Sequence, residues 1–468
     1  MIHKIVPSTV WALLISEAAL VFTAYTGASY LLVEVDPLLW LLYEDGLLRV
    51  LTLVAWIVLG LYFQDLYSNF RIRSRFVLVQ QVSLVLGTAF LFQGLVSYGL
   101  IRLLLPRWVM MVGSVIVIVA VPLWRYIYSH VVVQALATER VLFLGASPMA
   151  QEIAHKMLER RELGSSVVGF LAEPAELENL PEAWRLGKPD ALTDTVARIK
   201  PDRVVVGFVE RRQRMPVQEL LTISFTGIPV EEAAATYEAV LKRVSTMQLR
   251  PSQLIFSREL GPKPSRLKVQ LVYSTLIATV GFLFAAPIML VVGILVRLTS
   301  SGPALYSQRR VGLRGELFTV YKFRSMRQDA EATTGAVWAQ KGDPRITPFG
   351  RFLRRTRLDE LPQLFNVVKG EMSIVGPRPE RPEFVTTLSE QIPFFPHRHC
   401  VRPGITGWAQ INHKYGDTLA DTVTKLEYDL YYIKNLSPMF DLYIMLQTAK
   451  VKVWFPLLVG MAAIGLVG

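Results

Sequence analysis

Cysteine is nearly absent: Cys400 is the single one in 468 residues. One thiol excludes an internal disulfide and leaves no cysteine-built metal centre, so Cys400 reads as a bland residue. Acidic residues are also in short supply, 38 against 50 Lys and Arg, for a net charge of +12. A basic excess of this size suits nucleic acid, anionic lipid or phosphorylated substrates. Nucleic acid fits poorly, because the basic residues are not interleaved with an aromatic platform. No tyrosine is followed four positions later by lysine, which argues against a membrane-tethered nucleotide-sugar dehydratase or epimerase. No small-residue cleavage site follows the first apolar stretch, so that stretch is expected to be a retained anchor.

What the chain has in abundance is apolar residues, 52% of the total. That composition and the length predict two or three domains with part of the chain in lipid. Four apolar segments, near Ser8–Val33, Leu47–Phe63, Phe76–Leu105 and Val109–Val133, fill the first third. A span needs about 20 apolar residues, and four in a row predict a transmembrane region over residues 1–135. The first loop carries Glu34, Asp36, Glu44 and Asp45; the second carries Arg71, Arg73 and Arg75. By the positive-inside rule the second loop and everything after residue 133 face the cytoplasm, although Arg102 and Arg107 in the third loop mildly disagree.

Residues 136–262 read as a Rossmann-like α/β domain. Val141–Leu144, Val167–Leu171 and Val204–Phe208 are strand candidates with helical segments between them, the pattern of a parallel, doubly wound sheet. The turn Gly145-Ala146-Ser147-Pro148-Met149-Ala150 resembles a dinucleotide fingerprint but is degraded at Ser147 and Ala150. A side chain at the second position keeps backbone from approaching a pyrophosphate, which favours a scaffold over a cofactor site; a regulatory nucleotide stays open.

A fifth apolar segment, 269–298, contains Pro287 and has basic residues on both flanks: Lys263, Arg266 and Lys268 before it, Arg297, Arg309 and Arg310 after it. Basic flanks put both ends on one side of the membrane. This favours a re-entrant helix that enters, breaks at Pro287 and returns, over an ordinary kinked span. The apolar end, Trp454–Gly468, is short for a span and is compatible with an interfacial or a protein-packed position.

The densest polar cluster is Arg351-Phe352-Leu353-Arg354-Arg355-Thr356-Arg357-Leu358-Asp359-Glu360-Leu361-Pro362-Gln363. Thr356 with Asp359 three residues on predicts a capped helix start, with Asp359 in the first turn where unpaired N–H groups favour an anion. Adjacent helical residues point about 100° apart, so Asp359 and Glu360 are expected to face different partners. A carboxylate attacks a phosphorus only when the surrounding negative charge is neutralised, by Arg or Mg²⁺. The bland alternative is a helix cap and a salt-bridge partner. His397, His399 and His413 lack a ligand spacing and read as structural or surface residues. Trp338, Trp408 and Trp454 read as interfacial anchors or core, and Tyr428, Tyr431 and Tyr432 as packing.

Five motifs in order carry a resemblance: Gln308-Arg309-Arg310-Val311-Gly312, Lys322-Phe323-Arg324-Ser325-Met326, Leu358 to Asn366, Ser373 to Pro379 and Arg402 to Gln410. Over about 265–452 the chain resembles the bacterial sugar transferase family, monotopic phosphoglycosyl transferases acting on polyprenyl phosphate. Its front portion resembles the long members, the undecaprenyl-phosphate glucose or galactose phosphotransferases of exopolysaccharide and O-antigen assembly. The resemblance implies a mostly helical catalytic domain over 263–468. It implies transfer of hexose-1-phosphate, glucose-1-phosphate first, from a UDP-sugar to undecaprenyl phosphate with release of UMP. Asp359 matches the catalytic aspartate that takes the phosphosugar; Glu360 matches its partner, and the pair is associated with Mg²⁺. Arg354 and Arg378 match phosphate-contacting arginines, while Lys322 and Arg324 match a basic motif near the site. Pro287 matches the break of the re-entrant helix, with Ala286 where a serine often precedes it. A homodimer is compatible with this organisation, and the non-catalytic alternative is a membrane scaffold carrying an inactive transferase domain.

Overall fold

The computed structural model describes residues 8–33, 36–64, 66–67, 75–99, 104–128, 139–159, 165–178, 180–208, 215–246, 261–328, 330, 343–413 and 418–449. The expectations for Glu34, Arg71, Arg73, Arg102, Trp338 and Trp454–Gly468 fall outside these residues. The chain forms two compact units, Met1–Thr236 and Tyr237–Gly468.

In the first unit each of the four apolar segments becomes a helix: α1 (Ser8–Leu32), then, after a short α2 (Pro37–Tyr43), α3 (Gly46–Phe63), α4 (Arg75–Gly99) and α5 (Arg107–Ile127). α1, α3 and α5 are long and apolar enough to cross a membrane; in α4 the apolar stretch is the shorter Leu78–Gly94. The described part of α4 ends at Gly99, residues 104–106 are not helical, and α2 was not anticipated. Tyr25, Val50, Ile57, Leu61, Val82 and Val117 share one buried core. α1 and α5 pair antiparallel and close. Trp124 Nε1 donates to Ser16 Oγ at 2.9 Å, and Tyr25 Oη meets Ser114 Oγ at 2.8 Å. A Cβ on Gly113 would lie 2.3 Å from the Tyr25 ring, so glycine is what lets these helices approach.

The four segments also hide a buried ion pair. Arg125 Nε lies 2.6 Å from Glu17 Oε1, at 6% and 0% exposure. Tyr67 Oη donates to Glu17 Oε2 at 2.6 Å, and Arg125 Nη1 to the Leu66 carbonyl at 2.5 Å. One unit of charge on α1, one on α5 and the chain after α3 therefore meet at a single point.

Beyond the helices lies a five-stranded parallel sheet, β1 (Glu139–Leu144), β2 (Ser165–Leu171), β3 (Arg185–Gly187), β4 (Arg203–Val206) and β5 (Val230–Glu232), in the order β3-β2-β1-β4-β5. The three anticipated strands are β1, β2 and β4; β3 and β5, three residues each, carry too little apolar pattern to be read. Gly145 has φ +90° and leads into α6 (Pro148–Glu159), the strand–turn–helix order expected of the degraded turn. The Ala146 N–H in that turn donates to the Glu176 carboxylate at 3.2 Å, so a side chain of the protein already sits on it.

The second unit begins with residues that pack on it locally: Val244 N donates to Glu427 O and Trp408 Nε1 to Lys242 O. Its long helix, α7 (Pro264–Thr299), contains Pro287. The helix does not break at the proline, as the sequence suggested, but stays helical throughout. A proline removes its own N–H from the ladder and crowds the carbonyl four residues back, which can bend a helix without ending it. Buried residues lie at Gln270, Ser274 and Ala278 and again at Val292 and Val296, with none between. In the gap, Leu283, Phe284 and Leu290 are 67–80% exposed. The hairpin β6 (Leu305–Val311) and β7 (Leu317–Phe323) is antiparallel; β8 (Ser373–Val375) and β9 (Gly404–Thr406) pair in parallel. The remaining elements are helices: α8 (Pro348–Thr356), α9 (Gln363–Val368), α10 (Pro382–Gln391), α11 (Trp408–Asn412), α12 (Leu419–Asn435) and α13 (Pro438–Ala449). Trp408 is core rather than an interfacial anchor, ringed by Tyr431, Phe440 and Tyr443, and Tyr428, Tyr431 and Tyr432 pack as expected.

Removing one partner of a buried pair costs about 3–5 kcal/mol, whereas removing both is often neutral. Glu17→Leu should therefore lower the melting temperature in detergent, and Glu17→Leu/Arg125→Met should restore most of it. A double variant no better than the single would remove the pair as the cause.

Candidate active site

The site grows from the end of α8. Thr347 caps the start of that helix, its Oγ1 accepting from Gly350 N at 2.9 Å. The capped helix start expected at Thr356 is not there. Thr356 is the last residue of α8, and its hydroxyl donates back to Phe352 O at 2.9 Å. Arg357 then takes the left-handed conformation, φ 61°, which stops the helix and turns the chain. Asp359 and Glu360 follow in a single 3-10 turn, Leu358–Glu360, and not in the first turn of an α-helix. Leu358 and Leu361 pack on Val292 and Val296 of α7 together with Phe323 and Leu353. The long apolar helix thus forms the floor of the turn.

The two carboxylates are buried, at 7% and 6% exposure, and their surroundings differ. Glu360 is held by three cations through one oxygen. Its Oε1 lies 2.8 Å from Arg378 Nη2, 3.1 Å from Lys322 Nζ and 3.7 Å from Arg357 Nη1. Burial alone would raise its pKa, but Arg378, Lys322 and Arg357 outweigh it and hold the carboxyl well below its ordinary value. Asp359 is the opposite case. Its Oδ1 is buried without a hydrogen-bond partner among the described residues. Burial first, and then neighbouring Glu360, push its pKa up against the pull of Lys322, Arg357 and Arg354. Lys322 is drawn below its ordinary value by burial and by Arg378, with Glu360 opposing.

Of the residues singled out from sequence, Lys322 and Arg378 join Glu360 directly. Arg354 sits one step away, its Nε donating to Ser325 Oγ at 2.8 Å. Arg324 turns elsewhere: its Nη2 donates to Ser300 O at 2.7 Å and Oγ at 2.9 Å, beyond the end of α7. Pro287 lies in the exposed middle of α7 and touches none of these groups. Arg357 was missed as a Glu360 partner; its place three residues before the glutamate was the available signal. His413 pairs with Asp421 at 3.0 Å, and burial with nearby Arg398 lowers the pKa of His399 to about 4. No group of three or more His, Cys, Asp or Glu suited to a metal occurs among the described residues. Mg²⁺ bound by one or two carboxylates together with substrate phosphates needs no such group. Asp359 and Glu360 are the carboxylates such an ion would take, and since three cations already hold Glu360 Oε1, it would bind through their remaining oxygens.

The bacterial sugar transferase model matches residues 266–454, the stretch that builds this turn and its arginines. A UDP-glucose:undecaprenyl-phosphate glucose-1-phosphate transferase from Xanthomonas campestris pv. campestris is 33% identical over 347 residues, 72% of this chain and 71% of that protein. The chain belongs to the bacterial sugar transferase family. A UDP-N-acetylgalactosamine-undecaprenyl-phosphate N-acetylgalactosaminephosphotransferase from Aeromonas hydrophila is 39% identical over 57% of this chain, which spans 62% of that relative's length. A UDP-glucose:undecaprenyl-phosphate glucose-1-phosphate transferase from Escherichia coli (strain K12) is 44% identical over 37% of each chain. As a sugar transferase, the protein has its densest charge cluster inside the family-matched region, and the free carboxylate lies within it.

The two carboxyls have opposite effects on stability. Asp359 keeps its proton to a higher pH in the folded than in the unfolded chain, so stability falls as pH rises through that window. Above that window the fold carries the cost of the ionised side chain. Glu360 is the reverse: its contribution is present above its unfolded pKa and is lost as pH falls through the depressed folded value. At pH 7, Asp359→Asn should raise the melting temperature and Glu360→Gln should lower it. A fall with Asp359→Asn would contradict the strained-carboxylate reading.

Proposed function

We propose that this protein transfers hexose-1-phosphate from a UDP-sugar to undecaprenyl phosphate at the cytoplasmic face of the bacterial inner membrane. The observation that carries the proposal is the buried Asp359 oxygen left unpaired beside a carboxylate that three cations hold. An unpaired ionised oxygen among positive charges is a nucleophile kept available for an anionic electrophile. In the first step a carboxylate oxygen of Asp359 attacks the β-phosphorus. The bond from that phosphorus to the bridging oxygen breaks, and UMP leaves with the electron pair. In the second step the phosphate oxygen of undecaprenyl phosphate attacks the same phosphorus, the aspartyl–phosphorus bond breaks, and the lipid diphosphate sugar forms. Lys322, Arg354, Arg357 and Arg378 stabilise charge on the transferring group, and Arg324 supports the basic loop from behind. Mg²⁺, held through Glu360 and Asp359 with the nucleotide phosphates, would supply further charge neutralisation.

Both sides of this reaction meet at a lipid surface. A straight helix of 36 residues would be about 54 Å long, against about 30 Å of hydrocarbon. Its two ends are anchored on one protein body and its apolar middle is exposed, which supports a re-entrant path bent at Pro287. The parallel strand order β3-β2-β1-β4-β5 supports a Rossmann-like scaffold over 136–262, between a transmembrane region over 1–135 and a catalytic domain over 263–468. Glucose-1-phosphate is the first choice of group, because relatives so named match over the site. The relative named for N-acetylgalactosamine makes that sugar the comparison to run beside it. The product is the first lipid-linked intermediate of an exopolysaccharide, capsule or O-antigen, and a homodimer is compatible with this scheme.

Purified protein in lipid with Mg²⁺ should release UMP from UDP-glucose when undecaprenyl phosphate is present. Asp359→Asn should lower that release by a thousandfold or more, since it removes the nucleophile. Release near the wild-type level from Asp359→Asn would end its role as nucleophile. A panel of UDP-sugars on the wild type assigns the sugar. Pro287→Ala should straighten α7 and move the catalytic domain across the membrane in a cysteine-accessibility assay. A catalytic domain that stays on its original side would mean that the anchored ends, and not the proline, set the path.

A further inference from the structure

Arg378 holds Glu360, yet it lies in Pro377-Arg378-Pro379, a segment in which two of three residues have no N–H to donate. Such a segment has little besides its carbonyls by which its backbone can be fixed, and the four in succession from Pro377 to Glu380 are taken. Pro377 O accepts from Gly404 N at 2.9 Å and Glu380 O from Val311 N at 3.0 Å. Pro379 O accepts from Arg310 Nη1 at 3.1 Å, and Arg378 O accepts from Arg398 Nη2 at 3.1 Å. Arg398 is the unusual member. It is 6% exposed, and the same Nη2 reaches Asp429 Oδ2 at 2.8 Å on α12, where Asp429 is 2% exposed. Its Nη1 lies 3.8 Å from Glu380, and its guanidinium sits 5.1 Å from the Phe395 ring centroid. A buried ion pair contributes little net stability compared with apolar side chains of the same volume. What it supplies here is a rigid donor, fixed by Asp429, aimed at the carbonyl of the one residue in the segment whose side chain enters the site.

We propose that Arg398 is a positioning residue for the transfer reaction: held by Asp429, it fixes the Arg378 carbonyl and so aims the Arg378 guanidinium at Glu360. Arg398 touches neither carboxylate of the 359–360 turn and acts only through Arg378. This inference rests on the function proposed above, but half of its test does not use turnover.

The variant is Arg398→Met/Asp429→Asn, which removes both buried charges together so that neither is left unpaired. Arg398→Lys, which keeps the charge and loses the forked geometry, is the second variant. The first readout is the structure of the double variant in lipid. The expected result is a chain trace unchanged over β8 and β9 with the Arg378–Glu360 pair opened beyond 4 Å. A pair still near 2.8 Å overturns the proposal whether or not the enzyme turns over. The second readout is a mutant cycle on UMP release. A misplacement of about 1 Å can cost a hundredfold in rate. The double variant should lower kcat tenfold or more in the wild-type background and less than twofold in Arg378→Ala, with Arg398→Lys intermediate and its melting temperature near wild type. Equal losses in both backgrounds would mean that Arg398 acts independently of Arg378, and would overturn the proposal. No UMP release from the wild type would count against the transferase reading alone, and the structural readout would still decide this one.

Discussion

A single carboxylate oxygen organises this protein's polar interior. Glu360 Oε1 gathers Arg378, Lys322 and Arg357 from three separate pieces of chain. A like charge one residue away would normally share those partners. Instead the turn of the chain directs Asp359 away and leaves its oxygen unpaired, so the cations serve as a field around Asp359 and not as its ligands. Low-dielectric surroundings make that field stronger than it would be in water, and the floor of leucine, valine and phenylalanine beneath the turn supplies them. The apolar helix and the charge cluster are therefore two parts of one arrangement.

Much of this was legible in the chain, and the failures have physical causes. Apolar runs announce helices well, because a segment of that length has few other ways to satisfy its backbone in lipid. The order of charged motifs announced the family region, and Lys322 and Arg378 were found because they match basic positions of that family's motifs. The local backbone was less legible. Thr356 followed by Asp359 has the letters of a cap, but whether a threonine begins or ends a helix depends on which neighbours continue the hydrogen-bond ladder. A left-handed arginine at 357 could not be anticipated, since that conformation is rare for a side chain of this kind. Arg324 shows the same limit: one residue beyond a strand, its direction is set by where the chain turns next.

Long-range polar pairs were the least visible. Glu17 was lost among apolar neighbours because hydropathy averages over a window, and its partner is 108 residues away. Arg398 and Asp429 stood out in no local pattern, and only the packing of α12 on the preceding turn buries them. Pairing across the fold is information that no local pattern holds.

The Glu17–Arg125 pair has a consequence for how the protein is made. α1 is synthesised long before α5, so for most of the assembly of the helical region it carries a carboxyl with no counter-charge. Until Arg125 arrives, that carboxyl must remain neutral, stay at the water interface or sit beside another helper, and α1 has no fixed seat. The fourth apolar segment is thus the latch that completes the group, and a chain halted before it would be left with an acid in its first helix and nothing to close against.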